Sequence, residues 1–378
     1  MHRRRTGDKD DGWTEREPPG PAAVGSQAPA RARGDEGEAR ALSATSYTDG
    51  TEPEREFLDI EIEVTEAGAG YRLDRFLAKR FERLSRSRIH RIIELGRVTD
   101  GATGIPLVRK QTRVHQGQRV VVHRPVPDEP AVVMDYDVVF QDYAMLVINK
   151  PAGLPVHPTA RYLRHTLTAL MDTRLGAGHG WEMAHRLDRE TSGVMVFGQR
   201  GRLAATLKNG FFRRTVRKEY LALVHGRLVD PIDIEVPLGP ARGSRINIKM
   251  GERPECEGGL AAQTSVTPLK TGSFRDAPIT LVRAQPRTGR THQIRAHLAH
   301  VGHGIVGDKL YGVSEDVFLS IVEDGRPMSE VEQELGLPRH ALHASRIELD
   351  HPATGARVTF RTPWPAPLSD LLSVDGEG

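Results

Sequence analysis

The sequence offers almost no sulfur chemistry. Cys256 is the only cysteine among 378 residues, so no intrachain disulfide and no thiolate-held metal cluster can form. Its surroundings, Arg253-Pro254-Glu255-Cys256-Glu257, are acidic and do not lower a thiol pKa toward reactivity. Long apolar runs are missing as well. None approaches the roughly 20 residues that a helix needs to cross a bilayer, and the basic start Met1-His2-Arg3-Arg4-Arg5 is followed by no apolar segment. A secretory signal is therefore not expected, and a cytoplasmic location is. There is no G-x-x-x-x-G-K-[ST] phosphate loop and no convincing G-x-G-x-x-G dinucleotide turn.

What the chain does have is positive charge, placed unevenly. Lys and Arg number 53 against 50 Asp and Glu overall, yet from Tyr71 to Arg124 fourteen Lys or Arg face only four Asp or Glu. Such a one-signed stretch points to a phosphate-bearing partner. Within it, Leu73, Phe76, Leu77, Phe81 and Leu84 recur at helical spacing opposite Arg72, Arg75, Lys79, Arg80 and Arg83, which predicts an amphipathic helix. Ser85 is expected to cap a second helix through Ile89, Ile92 and Ile93, stopped by Gly96. Arg119-Val120-Val121-Val122-His123 is expected to form a strand. Residues 1–55, rich in Gly, Pro, Ala, Arg and Glu, lack apolar periodicity and are expected to be a disordered tail, unable to offset the entropy of ordering. Residues 125–130, which carry prolines, are expected to be a hinge.

The rest of the chain is organised around His185-Arg186-Leu187-Asp188-Arg189-Glu190-Thr191-Ser192-Gly193. The apolar run Val194-Met195-Val196-Phe197 that follows predicts a buried strand, so the charged nonapeptide is expected to be a loop entering a core. Asp188 has arginines on both sides, which favours its ionised form. That is the setting of a carboxylate nucleophile or electrostatic stabiliser, and equally that of an ion-paired loop.

Resemblance adds to this reading. HRLDRETSG is similar to the HRLDxxTSG signature of RluA-type pseudouridine synthases, in which the aspartate is catalytic. Further stretches match that family: Asn149-Lys150-Pro151-Ala152-Gly153 through Val156-His157-Pro158, Lys218-Glu219-Tyr220 through Gly226, Thr288-Gly289-Arg290-Thr291-His292-Gln293-Ile294-Arg295 through His297, and Gly307-Asp308 with Leu310-Tyr311-Gly312. The basic stretch resembles the small RNA-binding domain of the small-subunit ribosomal protein numbered four. Where members of that class commonly carry Val-Asn-Gly, this chain has Thr99-Asp100-Gly101.

The resemblance implies an α+β fold with a mixed, largely antiparallel sheet and flanking helices, preceded by a small basic α/β domain. The expected division is a tail over 1–55, an RNA-binding domain over 56–125 and a catalytic domain over 132–370. It implies isomerisation of uridine to pseudouridine in RNA, with Asp188, Tyr220 and Arg295 catalytic; Arg295, with Arg290 as the alternative, is expected to hold the Asp188 carboxylate by a charge-assisted pair. Arg186, Arg189, Arg290, His292, Lys150, Arg86, Arg88 and Arg97 are expected to bind substrate. Lys150 and His157 would either face RNA or brace their loop. Thr291 is expected to cap the helix after it, and Gly289 to permit its tight entry. Ribosomal RNA is the first expected partner and transfer RNA the second, met by a monomer without membrane attachment. The alternative is a non-catalytic RNA-binding or ribosome-assembly factor that keeps the fold.

No cofactor is expected, since the bonds are exchanged within one nucleotide. Nor is a metal: His292, His297, His300 and His303 lie close together, but the glutamate of H-E-x-x-H and the H-x-E with P-C-x-x-C of a zinc deaminase are both absent. These histidines are left to helix packing or RNA contact. Residues 314–338 look like an acidic helical insertion without an assigned role.

Overall fold

The computed structural model describes residues 40–47, 55–81, 84–125, 129–159, 162–322, 326–369 and 371. The chain divides into two units, Met1–Pro125 and Val126–Gly378.

In the first unit, β1 (Arg40–Tyr47), β2 (Arg55–Glu63), β3 (Val98–Asp100) and β4 (Arg119–Pro125) form a sheet in the order β1-β2-β4-β3. Two helices, α1 (Leu73–Arg80) and α2 (Arg86–Glu94), pack with it. Their apolar spacing works as expected as far as Leu77 in α1 and through Ile93 in α2, with Leu73, Phe76, Leu77, Ile89 and Ile93 buried with Val98, Val120 and Val122; α1 ends at Arg80, so Phe81 and Leu84, expected on it, follow it instead. Ser85 caps α2, its hydroxyl accepting from the Arg88 N–H. Gly96 follows the helix with φ 67, a left-handed position where a side chain would be strained. The tail expected over 1–55 is corrected at Arg40–Tyr47, which is a strand paired antiparallel with β2. Composition averaged over 55 residues hid this short segment, and its partner β2 lies outside the averaged stretch. Apart from Arg55, which opens β2, the remainder of the expected tail lies outside the described residues, as does half of the expected hinge (residues 126–128).

The second unit is built on a ten-stranded sheet. Its strands are β5 (Asp137–Gln141), β6 (Met145–Lys150), β7 (Trp181–Met183), β8 (Ser192–Gln199), β9 (Arg217–His225), β10 (Ile232–Ile234), β13 (Thr264–Phe274), β14 (Ala277–Pro286), β15 (Leu342–Asp350) and β16 (Arg357–Arg361). The order is β10-β13-β14-β9-β15-β8-β6-β5, with β16 on β15 and β7 on β8. A small separate ladder joins β11 (Leu238–Pro240) to β12 (Met250–Glu252). Every pairing in the large sheet is antiparallel except β15 with β8, so the sheet is mixed and largely antiparallel. The helices are α3 (Leu167–Leu175), α4 (Arg202–Phe212), α5 (Gln293–His300), α6 (Glu315–Val322), α7 (Met328–Leu335) and α8 (Ala366–Ser369).

The hydrophobic core lies in two parts. One gathers β6, β8 and α3, with Val194, Met195, Val196 and Phe197 all buried; each such side chain contributes about 1.5–3 kcal/mol by leaving water. The other gathers β9, β14 and α5. Tyr220 on β9 packs against both, and the HRLDRETSG loop enters the sheet beside it, just before β8.

Candidate active site

The loop that carries Asp188 is pinned at nearly every residue. His185 stacks on Phe211 with ring centroids 4.6 Å apart, and its Nε2 accepts from the Val196 N–H. Leu187 is buried in the core. The Asp188 carbonyl accepts from Thr191 N–H. Thr191 Oγ1 meets His340 Nε2 at 2.8 Å, and Ser192 Oγ meets His343 Nδ1 at 2.9 Å. The loop closes on Gly193, whose φ is 113. A Cβ there would sit 2.3 Å from the Ala344 carbonyl oxygen, so glycine is required where β8 meets β15 backbone to backbone.

The Asp188 side chain faces α5 and the turn that leads into it. Arg295 Nη1 donates to Asp188 Oδ2 at 3.0 Å. The rest of that guanidinium grips Asp308 as a fork, Nε to Oδ2 at 2.7 Å and Nη2 to Oδ1 at 2.9 Å, the bidentate geometry that fixes an arginine in direction as well as charge. Asp308 in turn accepts from the N–H groups of Leu310 and Tyr311. Burial by itself would push both carboxyls up, but the cationic neighbours outweigh it and hold Asp188 and Asp308 below the usual carboxylate range. His292 Nε2 also lies 3.9 Å from Asp188. Burial, with Arg295 second, pushes this imidazole down to about 4, so at neutral pH it is uncharged and Arg295 is the cation that acts on Asp188.

A cleft of about 710 Å³ opens over these groups, lined among others by Arg186, Asp188, Tyr220, Arg290, His292 and Arg295. Burial, with the Asp188 charge second, pushes the Tyr220 phenol up, well above its ordinary value. The cleft thus brings together an ionised carboxylate, an aromatic face and a basic rim. It does not collect all the expected residues. Lys150 is corrected: it is fully buried, and its ammonium donates to the carbonyls of Pro151, Leu154 and Arg189, so it braces two loops rather than meeting RNA. Arg189 is corrected too. Its guanidinium binds Glu190 and the Tyr162 hydroxyl, and it is not among the cleft-lining residues.

Other expectations shift at the level of local geometry. One pairing is as expected: Arg295, 107 residues away, holds the Asp188 carboxylate, and the arginines flanking Asp188 in sequence do not. Thr291 does not cap α5. His292 precedes the helix, with φ 55 and no side-chain cap bond, and the entry is tied by Gln293, whose Oε1 accepts from Arg290 N–H and the Thr288 hydroxyl. The left-handed residue at this turn is therefore His292 rather than Gly289. His297 is wholly buried, bonded to Thr264 and the Val236 carbonyl, which makes it a packing residue.

In the first unit Arg86 and Arg88 are exposed on the first turn of α2, where the helix dipole disfavours cations and so favours an anion brought to them. Arg97 is half-buried over the Phe57 ring.

Sequence reasoning quoted Asp308 and Tyr311 only as motif positions, yet both belong to the site. Tyr311 lies edge-on to His292 and beneath the Arg295 guanidinium. A second buried network escaped it altogether. Glu190 pairs with Lys309 at 3.0 Å, and Lys309 also donates to the Pro338 carbonyl and approaches Glu332 on α7. The 314–338 insertion, which is two helices as expected, is thereby tied to the Asp188 loop. No local pattern marks these residues as partners.

Among the described residues no cluster of His, Cys, Asp and Glu could hold a metal, and no helix is long and apolar enough to cross a membrane. A family model described as RNA pseudouridylate synthase matches residues 144–300. A Pseudomonas aeruginosa protein named ribosomal large subunit pseudouridine synthase D is 34% identical over 318 residues, which is 81% of this chain and 92% of the relative. A Chloroflexus aurantiacus protein named as an uncharacterized RNA pseudouridine synthase is 36% identical over 308 residues, 80% of this chain and 89% of the relative. The solved human RNA pseudouridylate synthase domain containing 1 aligns at 26% identity with a TM-score of 0.48, over 62% of this chain and 86% of that one.

Proposed function

The chain belongs to the RNA pseudouridylate synthases, isomerases of uridine in RNA, and from that premise we propose that its substrate is ribosomal RNA and that Asp188, Tyr220 and Arg295 carry the reaction. The names of its relatives support ribosomal RNA of the large subunit. In the reaction the N1–C1′ bond breaks, the uracil turns, and C5 joins C1′. A stacked uridine exposes neither centre, so the nucleotide must be flipped out of its helix at a cost of a few kcal/mol. The face of Tyr220 returns about 1–3 kcal/mol by stacking on the flipped base.

The observation that carries this reading is the Asp188 carboxylate, inside the cleft and held ionised by Arg295 at 3.0 Å. Arg295 is itself aimed by Asp308, so the carboxylate meets the nucleotide in one orientation. The raised Tyr220 phenol supports an order of events. Burial first, and the Asp188 charge second, keep the phenol neutral, so Tyr220 takes the C5 proton only as its own hydroxyl proton passes to the N1 that glycosidic cleavage has freed.

The test is Asp188→Asn, which keeps the shape and removes the anion. It should abolish pseudouridine formation in a single-site assay while RNA affinity stays within a few-fold. Wild-type turnover by this variant would remove Asp188 from the reaction. Mapping pseudouridines in ribosomal and transfer RNA with and without the gene tests the substrate, and an unchanged ribosomal RNA map would overturn that part.

A further inference from the structure

One side chain beside the cleft has no role in the chemistry above. Phe212, the last residue of α4, is 85% exposed and lines the same cleft as Asp188. A phenyl ring left in water forgoes the burial that its neighbour achieves: Phe211 packs on the core and stacks on His185. Successive helical residues point about 100° apart, so anchoring Phe211 sends Phe212 outward.

The turn that presents it is tightly tied. Arg213 N–H donates to the Asn209 carbonyl, Arg214 N–H to Phe211, and Thr215 N–H to Gly210. Arg214 sits at φ 60, in the place after a helix where glycine is the usual residue. An arginine kept at a left-handed position, next to an exposed aromatic, is strain at the edge of a functional cleft. The same cleft is lined by Arg213 and Arg214, which follow Phe212 in the chain, and by Arg287. An exposed apolar ring in a cleft that also carries cations fits an occupant with a flat π-face and a phosphate backbone.

We propose that Phe212 stacks on the base next to the target uridine, occupying the face that the uridine vacates when it is flipped. This rests on the cleft being the uridine site. Flipping removes a stacking partner from each neighbouring base, and an exposed aromatic at the mouth of the cleft replaces one of them. The anchored α4 terminus sets the ring before RNA arrives, and the arginines on the turn meet the adjoining phosphates.

The test uses the full chain and a stem-loop RNA with 2-aminopurine next to the target uridine. Phe212→Ala should weaken binding by about 5-fold to 150-fold, the span of one base–aromatic stack, and should lose the fluorescence quenching that stacking causes in the complex. Phe212→Trp should restore both. Phe212→Leu, apolar but without a π-face, should behave like the alanine variant. Tyr143→Ala, which removes an aromatic 71% exposed at the β5–β6 turn and outside the cleft lining, should leave affinity and quenching unchanged.

Unchanged affinity and quenching in Phe212→Ala would overturn the proposal, as would wild-type behaviour of Phe212→Leu. So would a change in sedimentation of the RNA-free protein with RNA affinity intact, which would mean that a second copy covers the ring. Failure of the cleft reading is separate: it shows as pseudouridine formation that survives Asp188→Asn, a measurement that does not involve Phe212.

Discussion

Asp188 depends on a chain of charges in which each member fixes the next. Asp308 is fully buried and takes two guanidinium bonds and two backbone N–H bonds. Its charge keeps Arg295 oriented, and Nη1 of the guanidinium then donates to Asp188. Removing one partner of such a buried pair costs about 3–5 kcal/mol, because the other charge is stranded. The set is thus committed to a single arrangement. Tyr220 offers a cleaner experiment, since its ring and its hydroxyl do different things. Tyr220→Phe keeps the stacking face and should bind RNA within a few-fold of wild type. Its single-turnover rate should fall by about 10²-fold or more, the usual contribution of a positioned acid–base group. Tyr220→Ala should lose affinity as well. Full activity in the phenylalanine variant would leave Tyr220 as a platform only.

Among the elements, the decisive contact is the parallel meeting of β8 with β15 at His343–Ser192 and Ala344–Gly193. It joins the half of the sheet that carries the Asp188 loop to the half that carries Tyr220. Gly193 has no room for a side chain there, and its positive φ adds to the constraint. Gly193→Ala should therefore destabilise the protein by about 3 kcal/mol or more, at the upper end of overpacking costs, because backbone rather than a yielding side chain stands in the way. A urea midpoint within error of wild type would show that the two strands can part without loss. At the same level, Lys309 ties the α6–α7 insertion to Glu190, so this insertion buttresses the Asp188 loop.

Over the whole molecule, two dependences on solution conditions follow. His340 and His343 are both 1% exposed, and burial first of all pushes each down to about 4. In the unfolded chain a histidine titrates near about 6.5. Between those values the unfolded state binds protons that the folded state refuses, so stability falls as pH falls through this window and is complete above it. The urea midpoint of the full chain should decline from pH 7 to pH 5, and a midpoint constant over that range would contradict the neutral burial of these rings. The second dependence is on salt. If the basic unit clamps RNA, deleting residues 1–125 should weaken binding and flatten the plot of log K against log salt. The expected change is about 0.9 in slope per lost phosphate contact on a duplex, or about 0.7 on a single strand. The shortened protein should still isomerise a short stem-loop at saturation, since every group in the cleft lies after residue 125. An unchanged slope removes the clamp. A folded, RNA-saturated variant without chemistry would mean that the first unit completes the active site.

The sequence by itself determined whatever is encoded locally or in a long contiguous motif. Apolar spacing set α1 and α2, Ser85 and Gly96 bounded α2, and the buried run from Val194 to Phe197 became the central strand β8. The same holds for Asp188 as the residue of interest, because HRLDRETSG is nine residues long and contiguous. The motif around Arg295 also pointed to the arginine that serves it, whereas tertiary structure alone decided how that arginine is aimed. Arg186 and Arg189 are near in sequence, but Arg295 is near in space, brought there by α5 and aimed by Asp308. Lys150 shows the converse: a lysine in a motif looks like an RNA contact until three carbonyls are found around its ammonium. Phe212 is the same kind of case, since nothing in a Phe-Phe pair says which ring packs and which stays in water. Periodicity and caps act over a few residues of one chain segment, whereas ion pairing and burial depend on distance through space, which the fold sets.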